Sequence, residues 1–297
     1  PSISRVVLHA FPTLRTTWAT LLRGELDVVY DVPADAVEFI RNDDVRVVSV
    51  PRWYQYLIAF NAQHGPLRSP LVRRALNMAV DRESLLATVL NGRGSPSTGP
   101  VWPRYWAYDE TVPGFPFDPQ EAGELLDAAG FPLPERSDDP ELPPARLRFT
   151  CLIPENFSVW ERLALVVQRD LFAIGVDMQF KVVPFSEFNE LIGQRKFEAL
   201  IIDLISGPTA ERPYLFWGAG RAAGAPRNPF GYKNADVERA FEVLRTSTND
   251  TAVRSATHRL QRAMIEGPPA LFLAWNERAR AIRSGIVIPQ TEGRELM

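Results

Sequence analysis

The chain has 297 residues, 45% of them hydrophobic, and its 33 basic and 36 acidic side chains leave a formal charge of −3. That length buries one large or two ordinary domains, and the even charge balance singles out neither nucleic acid nor an anionic membrane as a partner. No apolar run approaches the roughly 18 residues of a membrane span, and the lone Cys151, in the run LRFTCLI, allows no disulfide within the chain.

In chain order, residues 3–10 (ISRVVLHA) read as a strand, 13–23 as a helix stopped at Gly24, and 26–32 (LDVVYDV) as a second strand, which together predict a βαβ unit. A short helix over 34–41 and a strand over 45–50 follow, the latter ending at Pro51. From Tyr54, β-formers alternate so that Tyr56, Ile58 and Phe60 share one face, and this strand ends at the polar Asn61. Gly65, Pro66 and Pro70 break the chain. Leu71, Ala75, Met78 and Ala79 then recur at helical spacing, and Asp81 caps a second helix carrying Leu85, Leu86, Val89 and Leu90.

Residues 93–119 are rich in proline and aromatic side chains and show no period. Trp102, Tyr105, Trp106 and Tyr108 either wall a ligand site or pin this loop to its own domain. Asp118-Pro119 opens a helix that ends at Gly130, and 131–144 forms an acidic, proline-rich connector. Strands over 145–153, 176–184 and 197–204 alternate with helices over 159–174 and 186–195, the pattern of an α/β domain with helices covering a sheet. Asp203 closes the apolar run FEALIIDL and opens an irregular segment, where α/β sheets place ligand-contacting groups; bracing of the loop is the other reading. GAGRAAG at 218–224 lacks the spacing of a dinucleotide fingerprint, and the prolines after it stop any helix. Helices over 234–244, capped by Asn234, and 251–265 precede a short buried strand at 270–275.

Four stretches taken together resemble one family: Asn61 at the strand end, the VRRALNMAVDR helix pair, the loop NGRGSPSTGP, and FPFDPQEAGELLDAAGF from Phe115 to Phe131. They are similar to the extracytoplasmic solute-binding proteins of ABC importers, family 5, the oligopeptide, dipeptide and nickel group. The resemblance extends over almost the whole chain but begins inside the family pattern, after much of lobe I and all of lobe II. It implies an α/β, periplasmic-binding-protein-like (type II) two-lobe architecture. Residues 1–62 would belong to lobe I, 63–272 to the large C-terminal lobe, and 273–297 to a return segment. Strand-like crossings near 57–62 and 270–276 would let the lobes close on a ligand.

The function so implied is capture of an oligopeptide or dipeptide for delivery to a membrane permease, with no catalytic residue, metal or cofactor. The alternative is a shortened family member serving as a sensor or protein-interaction module, and exposed sheet edges would favour oligomers of such a form, where the full-length protein would be a monomer. The location implied is periplasmic or extracellular, with a lipid anchor on a missing N-terminal part. In peptide-binding members an aspartate at the position of Asp203 pairs with the α-amino group of the peptide. Here Ala199, Leu200, Ile201 and Ile202 stand where the family has a tryptophan, and Ser206-Gly207-Pro208 where it has a DYPDP-like stretch. Tyr214 and Trp217 are then candidates to replace the missing ring, and Asn61, Tyr54, Trp102, Trp106 and Trp275 complete the expected ligand-binding set. An enzyme is disfavoured: His9, His64 and His258 are scattered, and there is no H-E-x-x-H, G-x-S-x-G or P-loop.

Overall fold

Helices begin where a side chain can take up backbone N–H groups that have no partner inside the helix. The computed structural model describes residues 3–32, 36–40, 42–137, 143–219, 221–222, 225–226 and 228–286. In it Thr13, Ser69, Asp81, Asp118, Asn234 and Asn249 cap α1 (Leu14–Leu22), α3 (Pro70–Met78), α4 (Arg82–Val89), α5 (Pro119–Ala128), α9 (Ala235–Thr246) and α10 (Asp250–Glu266). The remaining helices are α2 (Val37–Ile40), α6 (Ser158–Ala173), α7 (Phe185–Gln194) and the single turn α8 (Tyr214–Trp217). Among the described residues none is long and apolar enough to cross a membrane.

The chain divides into one unit of Pro1–Pro51 with Glu277–Met297 and another of Arg52–Asn276. Two long strands, β2 (Val45–Phe60) and β9 (Ala270–Arg283), pass from one unit into the other. The division precedes the boundary expected at 62 because the second half of β2 is laddered to a strand of the larger unit; it follows the one expected at 272 because Ala274 and Trp275 also pair there.

In the smaller unit, β1 (Val28–Val32) runs antiparallel to β9, with Val29 opposite Ala281 and Val32 opposite Ala279. Leu21, Val37, Ile40 and Val45 close a small core against them. The strand expected at 3–10 does not form: Ile3, Val6, Val7 and Leu8 are exposed, and a strand without a partner ladder is not stable in water. The predicted βαβ unit is therefore absent, and what remains is a helix followed by an antiparallel strand. The strands expected at 45–50 and from Tyr54 are one strand. Pro51 stays within it, since a fixed φ near −65° suits extended backbone and costs one donor. Of the helix expected at 34–41, residues 37–40 form α2, while 34, 35 and 41 lie outside the described residues, as do 138–142 of the acidic connector and 287–297 of the return segment.

In the larger unit the strand order is β9, β2, β6 (Ala199–Ile205), β4 (Leu147–Pro154), β5 (Val176–Val183), and β3 (Ser95–Pro96) pairs with β9. The β4-α6-β5-α7-β6 run makes a parallel three-stranded core, and β6 then meets β2 antiparallel. Leu57 to Phe60 of β2 have no exposed surface, which shows that both faces of the sheet are covered there. β7 (Arg221–Ala222) pairs antiparallel with β8 (Ala225–Pro226), while 220, 223, 224 and 227 lie outside the described residues.

The helix pair α3–α4 is tied to the start of β9 by buried polar groups. Asn77, fully buried, donates to Arg73 O and Ala270 O (both 2.9 Å), while its Oδ1 accepts from Arg82 (3.0 Å) and from Phe272 N (3.2 Å). Arg82 donates to Ser97 O, Phe272 O and Asn77 O at 2.8–3.0 Å, and burial alone lowers its pKa to about 10, so it stays charged at neutral pH. Arg73 reaches Pro268 O (2.6 Å) and Leu67 O (2.7 Å).

Replacing Asn77 by Leu would strand a carbonyl, an N–H and part of a buried guanidinium. A loss of roughly 3–5 kcal/mol is expected from their desolvation. Urea denaturation checks this, with Arg74→Ala on the exposed side of the same helix expected to change stability by no more than about 0.5 kcal/mol. Equal midpoints for the two variants would refute the bracing role.

Candidate functional site

Alternation along β2 decides which side chains can meet. Arg52, Tyr54, Tyr56, Ile58 and Phe60 share one face, and the antiparallel register sets Tyr54 opposite Ile205, Tyr56 opposite Asp203, and Ile58 opposite Ile201. Ile58, Phe60 and Ile201 are fully buried, whereas Arg52, Tyr54, Tyr56, Asp203 and Ile205 are half-buried. The row thus leaves the core as it approaches the C-terminal end of β6, the edge where α/β sheets present groups to ligands. Across the neighbouring strand, Asn276 donates from Nδ2 to the Tyr56 hydroxyl (2.9 Å). A carboxylate, a phenol and an amide therefore stand in line on β6, β2 and β9, with the Tyr54 ring beside them under the Arg52 guanidinium, 4.6 Å from the ring centroid.

The opposite face of the same rungs is closed. Gln55, fully buried, donates to Ser206 Oγ (2.5 Å) and accepts from Ser97 Oγ (2.8 Å), so both ends of its amide are satisfied. Ser206 and Gly207 donate their backbone N–H groups to Trp53 O at 2.7 and 3.1 Å. A Cβ built on Gly207 would lie 3.1 Å from Trp53 Cβ and 3.2 Å from Trp102 Cβ and Cγ, so the β6 exit passes closely between these two side chains and a larger residue would have to displace them by a few tenths of an ångström.

The expected ligand-binding set is thereby separated. Asp203 and Tyr54 belong to the half-open row. β6 continues two residues beyond Asp203, so this carboxylate sits within the ladder and does not end it. Trp102 and Trp275 lie on the closed side, Trp102 at Gly207 and Trp275, nearly fully buried, against β3 and a recess of about 20 Å³ that is room for one water.

Asn61 lies past the far end of the ladder, where its amide donates to Phe197 O (2.9 Å) and accepts from Gln63 N (3.2 Å), which makes it a strand-end brace. Tyr214 and Trp217 are in the core rather than on a loop, Tyr214 edge-on to Phe241 and Trp217 4.9 Å from Phe230. Trp106 is 48% exposed beneath Arg254.

The loop bearing Trp102 and Trp106 is itself anchored. Asp109 accepts from Thr111 Oγ1 (2.6 Å) and Arg262 (2.9 Å), and Gln261 clasps its backbone from both sides. The Thr111 hydroxyl, then its N–H, with His258 and Arg262 behind them, hold the Asp109 carboxyl below the usual carboxylate range. Among the described residues no three His, Cys, Asp or Glu side chains are placed to hold a metal.

Tyr56, Asn276 and Arg52 were not in the expected set. The alternation from Tyr54 onward carries a signal for Tyr56 and Arg52, but Asn276 joins them only through the pairing of β9 with β2.

Comparison with solved structures gives the class first. The oligopeptide-binding protein AppA from Bacillus subtilis, solved in complex with a nonapeptide, superposes with a TM-score of 0.73 at 23% identity, over 92% of this chain and 55% of that one. The mixed α/β fold is that of the periplasmic binding proteins. Residues 1–225 match the bacterial extracellular solute-binding proteins, family 5 Middle, and the chain belongs to that family.

Among relatives, the probable di/tripeptide-binding protein 5 of Pseudomonas aeruginosa (strain UCBPP-PA14) is 31% identical over 229 residues, 77% of this chain and 39% of that protein. The glutathione-binding protein GsiB of Escherichia coli (strain K12) is 30% identical over 273 residues, 89% of this chain and 51% of its own length. The chain thus spans about half, or less, of the length of these relatives.

Core and surface aromatics of the expected set differ in what their loss should do. Trp217→Ala is expected to cost roughly 3–5 kcal/mol through the cavity it leaves, and Trp106→Ala less than about 1 kcal/mol. Thermal and urea unfolding of the two variants checks this, and a mild Trp217→Ala would reopen its assignment to a ligand wall.

Proposed function

We propose that this chain is the ligand-binding part of an ABC importer receptor that takes up short peptides outside the cytoplasmic membrane and delivers them to a permease. The observation that carries the reading is the row Asp203–Tyr56–Asn276 across the adjacent strands β6, β2 and β9, half-buried at Asp203 and Tyr56, in a chain whose family is extracellular and whose relatives carry peptide-binding names. Asp203 supplies what a peptide amino terminus needs. An ammonium leaving water requires a charge-assisted hydrogen bond, and a carboxylate fixed in a strand ladder provides it without reorganising. Tyr54 and Tyr56 offer flat apolar contact that loses little entropy on ordering, and the Tyr56 hydroxyl is oriented by Asn276.

The test is incubation of the full chain with a mixed pool of di- to pentapeptides, followed by native mass spectrometry of what is retained. Free peptides are expected to be kept and N-acetylated ones lost. Asp203→Asn should weaken retention of free peptides about 10- to 100-fold, the loss of one charge-assisted bond. Retention of nothing from the pool would end the peptide reading, and equal retention of acetylated peptides would remove Asp203 from the site.

A further inference from the structure

At the C-terminal ends of β4 and β5, near Asp203, two phenylalanine rings stand out of the core. Phe157 and Phe185 stack 5.3 Å apart with 25° between their planes. Trp160, 4.5 Å from Phe157, and Phe188, 6.3 Å from Phe185, back them and are themselves buried. Phe185 is nevertheless 49% exposed and Phe157 half-buried. Singly exposed apolar side chains are ordinary, but a stacked pair with two buried rings behind it is a fixed, flat apolar surface.

Local helix chemistry does not favour these rings where they stand. Phe157 is the N-cap of α6 and has no oxygen to offer its backbone, although Asn156 and Ser158 on either side are residues that cap well. Asn156 itself is left-handed, with φ 67°. Phe185 opens α7 directly after Pro184, and that helix too starts without a side-chain cap. Two neighbouring helix starts that forgo their caps in favour of rings mark a position where a requirement other than helix stability decides.

Register sets how far the pair lies from Asp203. Cys151 stands opposite Ala199 and Pro154 opposite Val183, so Asp203 is level with Glu155 on the β4 side and with Pro184 on the β5 side. Neighbouring strands are about 4.8 Å apart and each residue advances about 3.3 Å, which puts the Cα atoms of Phe157 and Phe185 roughly 8–10 Å from that of Asp203. An extended peptide whose ammonium is at Asp203 carries its second Cα about 4 Å and its third about 7 Å beyond the first. Resting on the peptide reading, we propose that Phe157 and Phe185 form a stacking platform for an aromatic side chain at the second or third residue of the bound peptide. The rings offer the guest an offset-stacked or edge-on contact, and their backing by Trp160 and Phe188 means that little is ordered on binding. A side chain on the first residue is too close to Asp203 to reach them.

The test uses the full chain and four tripeptides: Ala-Ala-Ala, Phe-Ala-Ala, Ala-Phe-Ala and Ala-Ala-Phe. Affinity is read by calorimetry for wild type, Phe185→Ala and Phe185→Trp, with thermal unfolding to confirm that each variant folds and light scattering to give its mass. In wild type, Ala-Phe-Ala or Ala-Ala-Phe is expected to bind at least tenfold tighter than Ala-Ala-Ala, and Phe-Ala-Ala within threefold of it. Phe185→Ala should bring the tenfold preference below threefold, and Phe185→Trp, which keeps a flat ring, should preserve it.

Tripeptides that bind without an aromatic preference, or a preference that survives in Phe185→Ala, overturn the platform and leave the peptide reading intact. A wild-type dimer that Phe185→Ala dissolves assigns the pair to contact between copies and also overturns it. Failure of folded wild type to bind any of the four overturns both readings. Where Phe185→Ala does not fold, Phe185→Leu, which keeps apolar bulk without the flat face, takes its place, and an undiminished aromatic preference in it overturns the proposal.

Discussion

A buried guanidinium met by carbonyl oxygens and, among the described residues, by no carboxylate, that of Arg82, sets the architecture of the larger unit. Its N–H groups must be met by carbonyl oxygens, because an unpaired buried charge costs several kcal/mol. The carbonyls that meet it belong to three separate pieces of chain: the α3–α4 turn at Asn77, the loop at Ser97, and β9 at Phe272. Asn77 repeats the constraint at the next level, with its amide bridging Ala270 O and Phe272 N. Apolar packing alone would tolerate a slip of β9 along β2. A fully satisfied polar network tolerates none, since each displaced group would be left without a partner. The register so fixed brings Asn276, four residues past Phe272, to the Tyr56 hydroxyl.

The helices and the parallel core were legible because their signals are local. Asp81, Asp118 and Asn234 read as caps and act as caps, and the alternation of apolar strands with amphipathic helices from Leu147 to Ile205 could form little else. Strands that depend on a distant partner were not legible. Residues 3–10 have the composition of a strand and no ladder, whereas β2 runs through Pro51 because β6 and β9 flank its second half.

The same limit governed the site. Asp203 stood out as a carboxylate in an apolar run, and Asn61 stood out equally as a polar strand end. Only pairing shows that one faces Tyr56 and the other is spent on Phe197 O. Aromatic residues misled for a related reason: Trp217 serves the core as well as it would serve a ligand, and nothing within its own segment reveals Phe230 and Tyr232 as its neighbours.

The two faces of β2 between Arg52 and Tyr56 differ in how firmly they are held. Gln55 is locked by Ser97 and Ser206, and Trp53 by the Gly207 approach, so this backbone cannot shift without stranding buried polar groups. Arg52, Tyr54 and Tyr56 project from the same few residues to the other side, where they are half-exposed. Because neighbours in a strand share one backbone, rigidity on the closed face is inherited by the open one. The polar groups of this row are therefore placed during folding, without the ordering entropy that a flexible loop would lose on binding. The loop at Trp106 is anchored through Asp109, but the Trp106 ring itself stands 48% exposed, with Arg254 against it, and has no such shared backbone behind it.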